Sequence, residues 1–348
     1  YVNGKDHEKF THMRCGYYNS KSLSLERKKR SKYSWVQKNY LRGHPMAWSM
    51  FFEDNVHREL FYSVSTWYKL ADKVIERGGE KLIDYKGKIL MIKTDLILNY
   101  LDELKNIKNE FILITASNDD HCAQYLEYPC SDSVKNKVNK FLNECKKLKY
   151  WYCKNACIVH SKVKPLPLGP KMQWYTTQFL GEDVTNHFRI FNSLCINPKE
   201  NLFGNEKSKL LYVNYAQTTG NPFYKPHKNI RRECLKHLNE NGLNERQPSQ
   251  NFEEYLELLS EYKFSISPPG RGIDTHRSWE SLLVGTIPII LSSPIDSVFD
   301  DLPVVLVKDY SVVTNEFLEI KYKEIRSKKN YNFSKLYRNY WINKISES

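Results

Sequence analysis

Between Gly270 and Glu280 the chain reads GRGIDTHRSWE, and this run holds the residue types that grip an anionic ligand. Gly270 and Gly272 let backbone amides approach a negative charge, while Arg271, His276 and Arg277 bring side-chain donors around it. The amino end of a helix starting here adds its partial positive charge. Such a set suits a diphosphate, and Glu280, about one turn beyond Arg277, has the reach to accept from a ribose diol. A glutamate early in a helix also complements the macrodipole, and Gly-Arg-Gly can be a plain turn, so both alternatives stand. Lys225 and Arg231, near an earlier loop, are secondary candidates for the same anion, or surface cations. A second set, Asp119, Asp120 and His121, offers a general base for deprotonating a hydroxyl, or equally a helix cap or Asx-turn.

These residues need elements to hold them. In 263–267, Phe264 and Ile266 alternate with polar neighbours until Pro268-Pro269-Gly270 stops the strand. Asp274 and Thr275 belong to the donor loop, and either suits the N-cap of a helix whose Trp279, Leu282 and Leu283 share one face. Gly285 is placed to end that helix. The apolar runs 287–291 and 304–307 predict parallel strands covered on both faces. The unit is β-α-β, with its loop at the carboxyl end of the first strand, where open α/β sheets bind ligands. Upstream, strands at 88–93, 111–115 and 156–159 alternate with helices at 95–105 and 134–149, and a helix is expected over 55–77. Strand 210–214, helices 227–238 and 251–262, and two amphipathic helices beyond Asp309 complete the pattern. Asp119, Asp120 and His121 follow the carboxyl end of 111–115. The fold class is therefore α/β, with two doubly wound Rossmann-like domains facing a cleft. The expected division is a polar, basic segment 1–55, an acceptor-side domain 56–205, a nucleotide-sugar domain 206–325 and a C-terminal helical segment 326–348.

SPPGRGIDTHRSWESLLVGTIPIILSS resembles the nucleotide-sugar motif of exostosin-like glycosyltransferases (family 47-like), particularly their ribitol xylosyltransferase branch, and more distantly that of fucosyltransferases. FILITASNDDHC, WYCKNACIVHSKVKPLPLGP and LLYVN are similar in order and spacing to the same group, so the resemblance spans about 86–344. It implies a GT-B architecture whose last helix crosses back to the first domain, a nucleoside-diphosphate sugar donor, UDP-xylose among the candidates, and transfer to a glycan or glycoprotein hydroxyl. It also implies a diphosphate facing Arg277, an acidic position at Asp119, no cofactor and no obligatory metal. Arg271 and Arg277 would then neutralise the leaving group, with inversion as the expected outcome.

Composition agrees with two domains and narrows the alternatives. The chain has 348 residues, beyond the size one core usually serves, with 41% hydrophobic residues. Its net charge of +13 is spread among acids, with one compact basic run at 26–32, and no nucleic-acid-binding signature accompanies it. Nucleic acid is therefore not the expected partner. A basic nucleic-acid-binding protein and a non-catalytic nucleotide-sugar-fold partner protein remain the competing readings. The eight cysteines are irregularly spaced and describe no disulfide framework. Cys153, Cys157 and His160 come nearest to a metal set but lack a second pair at zinc spacing, so no metal is expected. No apolar stretch is long enough to span a membrane. The sequence begins at Tyr1; an anchor preceding it would bring the chain to a membrane in the Golgi or ER lumen, and without one the cytoplasm is expected.

Overall fold

The computed structural model describes residues 64–116, 131–170, 197–204, 206–217, 229–243, 245–247, 252–270 and 272–348. Strands β1 (Lys73–Ile75), β2 (Ile89–Ile92), β3 (Phe111–Thr115), β4 (Leu148–Lys154) and β5 (Val163–Leu166) pair in that order into one parallel sheet. Strands β6 (Lys209–Tyr212), β7 (Tyr262–Ile266), β8 (Ile287–Leu291) and β9 (Val305–Val307) form a second parallel sheet, also in chain order. Among the described residues the α-helices are α1 (Val64–Leu70), α2 (Ile97–Lys105), α3 (Asp132–Glu144), α4 (Pro198–Phe203), α5 (Ile230–Glu240), α6 (Phe252–Ser260), α7 (His276–Leu283), α8 (Asn315–Ser327) and α9 (Arg338–Ser346). The chain is thus an α/β protein built on two parallel sheets.

The apolar strand runs have a simple cause: helices cover both faces. In the second sheet Phe264, Ile266, Ile287, Ile289, Val305 and Val307 share one core cluster with Cys234 and Leu238 of α5 and with Leu318, Tyr322 and Ile325 of α8. Tyr212 and Ile290 belong to the other cluster, together with Leu256 and Leu259 of α6 and Trp279, Leu282 and Leu283 of α7. Between Phe264 and Ile266, Ser265 meets Ser281 of α7 through a buried hydroxyl pair at 2.7 Å, which satisfies two polar groups under the helix that carries the candidate anion residues. The second cluster continues without a break into the first sheet, including Leu90, Ile112 and Trp151. The two sheets therefore share one core instead of being held only by a linker.

Several elements depart from the sequence reading. The helix expected over 134–149 ends at Glu144 with Cys145 as its C-cap, and Leu148 and Lys149, expected to be helical, open strand β4 together with the aromatic stretch Tyr150-Trp151-Tyr152. Consequently 156–159 is not a strand. The VKPL segment is an edge strand that its proline gave no reason to expect; Pro165 is tolerated there because an edge strand pairs on one side only. The helix expected over 55–77 contains α1 within its described part and then gives way to edge strand β1. A doubly wound sheet reverses its strand order at a switch point, and among the described strands neither sheet reverses. Helix α9 returns to the first sheet: Lys88 Nζ donates to the Ser346 carbonyl at 2.7 Å, and the Tyr152 hydroxyl lies 2.7 Å from Ser348 Oγ. Residues 1–55, with their basic run, lie outside the described residues.

Candidate functional site

The glycine-containing loop leaves the carboxyl end of β7, and α7 begins as it ends. Pro268 breaks the strand, and the Gly270 N–H donates to the Gly272 carbonyl at 3.0 Å, folding the loop onto itself. Thr275 occupies the N-cap of α7 in an extended conformation, but its hydroxyl turns to Ser278 Oγ (3.1 Å) and caps no backbone N–H. The helix thus leaves its first-turn donors uncapped by that side chain, which is the condition for holding an anion.

Arg277, in the first turn of α7, is clamped between two tyrosines. Its guanidinium carbon lies 5.7 Å from the ring centre of Tyr212 at the end of β6 and 5.6 Å from that of Tyr255 on α6, both within cation–π range. Burial works against the Arg277 charge, but Tyr255, Tyr212 and Glu280 outweigh it and hold its pKa above the ordinary guanidinium value. Glu280 is only 4% exposed and accepts from the Tyr255 hydroxyl at 2.8 Å. It therefore serves first as a counter-charge beside Arg277. The Nε of Arg277 is buried and has no hydrogen-bond partner. Leaving such a donor unmade costs about 1–3 kcal/mol, so the arrangement is incomplete as it stands.

A second cation lies beside it. Arg231, in the first turn of α5, donates from Nε to the Pro269 carbonyl at 2.9 Å and from Nη1 to the Ala216 carbonyl at 2.8 Å. It thereby ties the loop after β7 to the segment after β6. Burial lowers the Arg231 pKa, and the like charge of Arg277 lowers it further. Two guanidiniums close enough to oppose each other's charge, with an orphan donor on one, form a field that a multiply charged anion relieves.

Asp274 faces another way. Its carboxylate accepts from the Leu168 N–H at 2.7 Å, beyond the end of β5, and from the Trp279 Nε1–H at 2.9 Å, while its own N–H donates to Asn155 Oδ1 at 2.8 Å. His276 Nδ1 lies 2.7 Å from the Gly169 carbonyl oxygen and must donate to it. These two residues join the second sheet's loop to the first sheet, and the Asp274 carboxylate is committed to that junction instead of facing a ligand.

Burial pushes the Asp274 carboxyl up to about 6 from 3.8, against the pull of its donors and of Lys154. Between about pH 4 and pH 6 the folded chain therefore holds a proton that the unfolded chain has released. This group's contribution makes stability fall as pH rises through that window and level off above it, by at most about 3 kcal/mol. Asp274→Asn should lack this slope, so the stability difference between wild type and variant in urea unfolding should fall as pH rises from 4 to 6 and level off by pH 7. Parallel profiles would show that the carboxyl is not perturbed.

The structure brings Gly270, Gly272, Asp274, Thr275, His276, Arg277 and Glu280 into one region and adds Arg231 to it. Arg271, Lys225, Asp119, Asp120 and His121 lie outside the described residues. Tyr212, Tyr255 and Asn155 are partners the sequence reading did not single out. Only Asn155 carried a signal, since asparagine following a strand tolerates the left-handed turn it adopts, with φ 48°. Cys157 is disulfide-bonded and so has no free thiolate, and among the described residues no group of three or more His, Cys, Asp or Glu is placed to hold a metal ion. Nor is any helix among them long and apolar enough to cross a membrane. No protein-family model matches the chain, and no curated protein matches it either.

Proposed function

We propose that the chain is a glycosyltransferase of GT-B architecture, akin to the exostosin-like group, that moves a sugar from a nucleoside-diphosphate sugar to a hydroxyl acceptor. The observation that carries this reading is the pair Arg231 and Arg277 beside the glycine loop and the uncapped start of α7, with the buried Arg277 Nε unpartnered. In this proposal the donor diphosphate lies against Gly270, Gly272 and the first turn of α7. Arg277 and Arg231, joined by Arg271, stabilise the negative charge that grows on the leaving nucleotide as the glycosidic bond breaks. They take the role that a divalent cation has in other transferases. One of Asp119, Asp120 and His121 removes the acceptor's hydroxyl proton as its oxygen attacks the anomeric carbon, which gives inversion. Glu280 is the candidate ribose contact. The resemblance suggests a UDP-sugar, UDP-xylose first, and a glycan or glycoprotein acceptor.

A thermal-shift panel of UDP, GDP, UDP-xylose, UDP-glucose, UDP-N-acetylglucosamine, UDP-glucuronate and GDP-fucose, each with and without EDTA, tests the reading. A ligand at a hundred times its Kd should add about 2.7 kcal/mol of stability, so selective stabilisation that EDTA leaves intact is expected. Stabilisation by none of the seven would remove the proposal. Sharply salt-dependent stabilisation by oligonucleotides would then favour a nucleic-acid partner. Binding without any transferred product across acceptor glycans would favour the non-catalytic partner protein.

A further inference from the structure

One residue of the first sheet reaches into a loop that otherwise belongs to the second. Asn155 follows the last residue of β4, is 6% exposed, and holds a left-handed backbone conformation with φ 48°. Turning the chain would need only that backbone, yet the side chain is engaged as well. Its Oδ1 accepts from the Asp274 N–H at 2.8 Å, and its amide fills the space beside Gly272 so closely that a Cβ on Gly272 would lie 2.7 Å from both Oδ1 and Nδ2. The amide therefore fixes the Gly272–Thr275 segment at two points, a hydrogen bond and a packing contact, immediately before α7 begins.

We propose that Asn155 is a positioning residue that sets this segment, and with it the start of α7 and Arg277, in ligand-ready form. The site is then complete only while the two sheets are docked. The Leu168–Asp274 and Gly169–His276 hydrogen bonds, each 2.7 Å, hold the same junction. A ligand on the loop and the docking of the sheets strengthen one another, because each favours the same loop geometry. The ligand arm of this proposal rests on the anion-site reading above; the positioning arm does not.

The test uses Asn155→Gly in the full chain, since glycine adopts the left-handed turn freely and removes only the amide. Amide hydrogen exchange without ligand should show at least about tenfold faster exchange at Asp274, with Phe264 in the sheet unchanged as internal reference. Affinity for UDP, measured by calorimetry at a temperature where both proteins are fully folded, should fall by about tenfold or more. Gly272→Ala should weaken UDP binding in the wild-type background, where its Cβ meets the Asn155 amide, but add little in Asn155→Gly. Unchanged exchange at Asp274, or strictly additive effects of the two substitutions, would overturn the positioning role. Failure of the wild type to bind either UDP or GDP would instead remove the anion-site reading and with it the ligand coupling, leaving the exchange comparison to decide the role of Asn155.

Discussion

Arg277→Ala is expected to weaken binding of a nucleoside diphosphate by about a hundredfold or more. A charge-assisted hydrogen bond contributes about 1.5–3 kcal/mol, and the guanidinium offers several donors in a fixed fork, one of them the unpartnered Nε. The clamp between Tyr212 and Tyr255 holds that fork in place. Removing this cation also leaves buried Glu280 without its counter-charge, so some loss of stability must be separated from loss of binding. Arg277→Lys makes that separation. It keeps the charge beside Glu280 but loses the planar fork, and should bind UDP at least about tenfold more weakly at a melting temperature close to wild type. Replacing by alanine whichever of Asp119, Asp120 and His121 is the base should leave UDP affinity alone and abolish transfer, because a base acts on the acceptor. Equal UDP affinity in wild type, Arg277→Ala and Arg277→Lys would take the anion site away from α7.

The contrast between Arg277 and Asp274 shows where the sequence was legible and where it was not. Residues whose role follows from local chain direction could be read: the strand stopped by Pro268, the turn at Gly285, the face of Trp279 and Leu282 that points into the core. Periodicity and breakers report on such features directly. The carboxylate of Asp274 looks locally like a cap or a ligand contact, and its actual partner Leu168 is supplied by a distant loop. Nothing in GRGIDTHRSWE predicts that partner. The same holds for Tyr255, which reads as one more helical aromatic until packing sets it against Arg277 and Glu280. Strand β4 was missed for a different reason: LKYWYCK follows a polar helix with little punctuation, and aromatic residues suit a helix face or a strand until pairing with β3 decides.

Gly285→Ala is the substitution expected to damage the fold most for the least chemical change. Gly285 ends α7 with φ 71°, and the next residue, Thr286, sends its N–H back to the Ser281 carbonyl at 2.8 Å, closing a Schellman-type terminus. An L-residue in this conformation costs roughly 1–2 kcal/mol. A second penalty arises from close approach: the added Cβ would lie 2.2 Å from the backbone carbonyl carbon of Asn201 and 2.5 Å from the Leu202 nitrogen, and backbone cannot rotate away as a side chain can. Helix α4 would have to move, disturbing the bonds by which Asn201 Nδ2 and Lys207 Nζ cap the Leu283 and Val284 carbonyls. Such overpacking adds about 1–3 kcal/mol, so a total loss of about 2–5 kcal/mol is expected in urea unfolding. Gly242 supplies the control. It has the same φ of 71° but nothing within 4 Å of its Cβ position, so Gly242→Ala should show the backbone penalty alone. Equal losses at the two positions would mean that α4 yields freely. An excess at Gly285 of about 1–3 kcal/mol would show that the end of the helix carrying Arg277 is fixed by backbone-to-backbone contact, which only glycine permits.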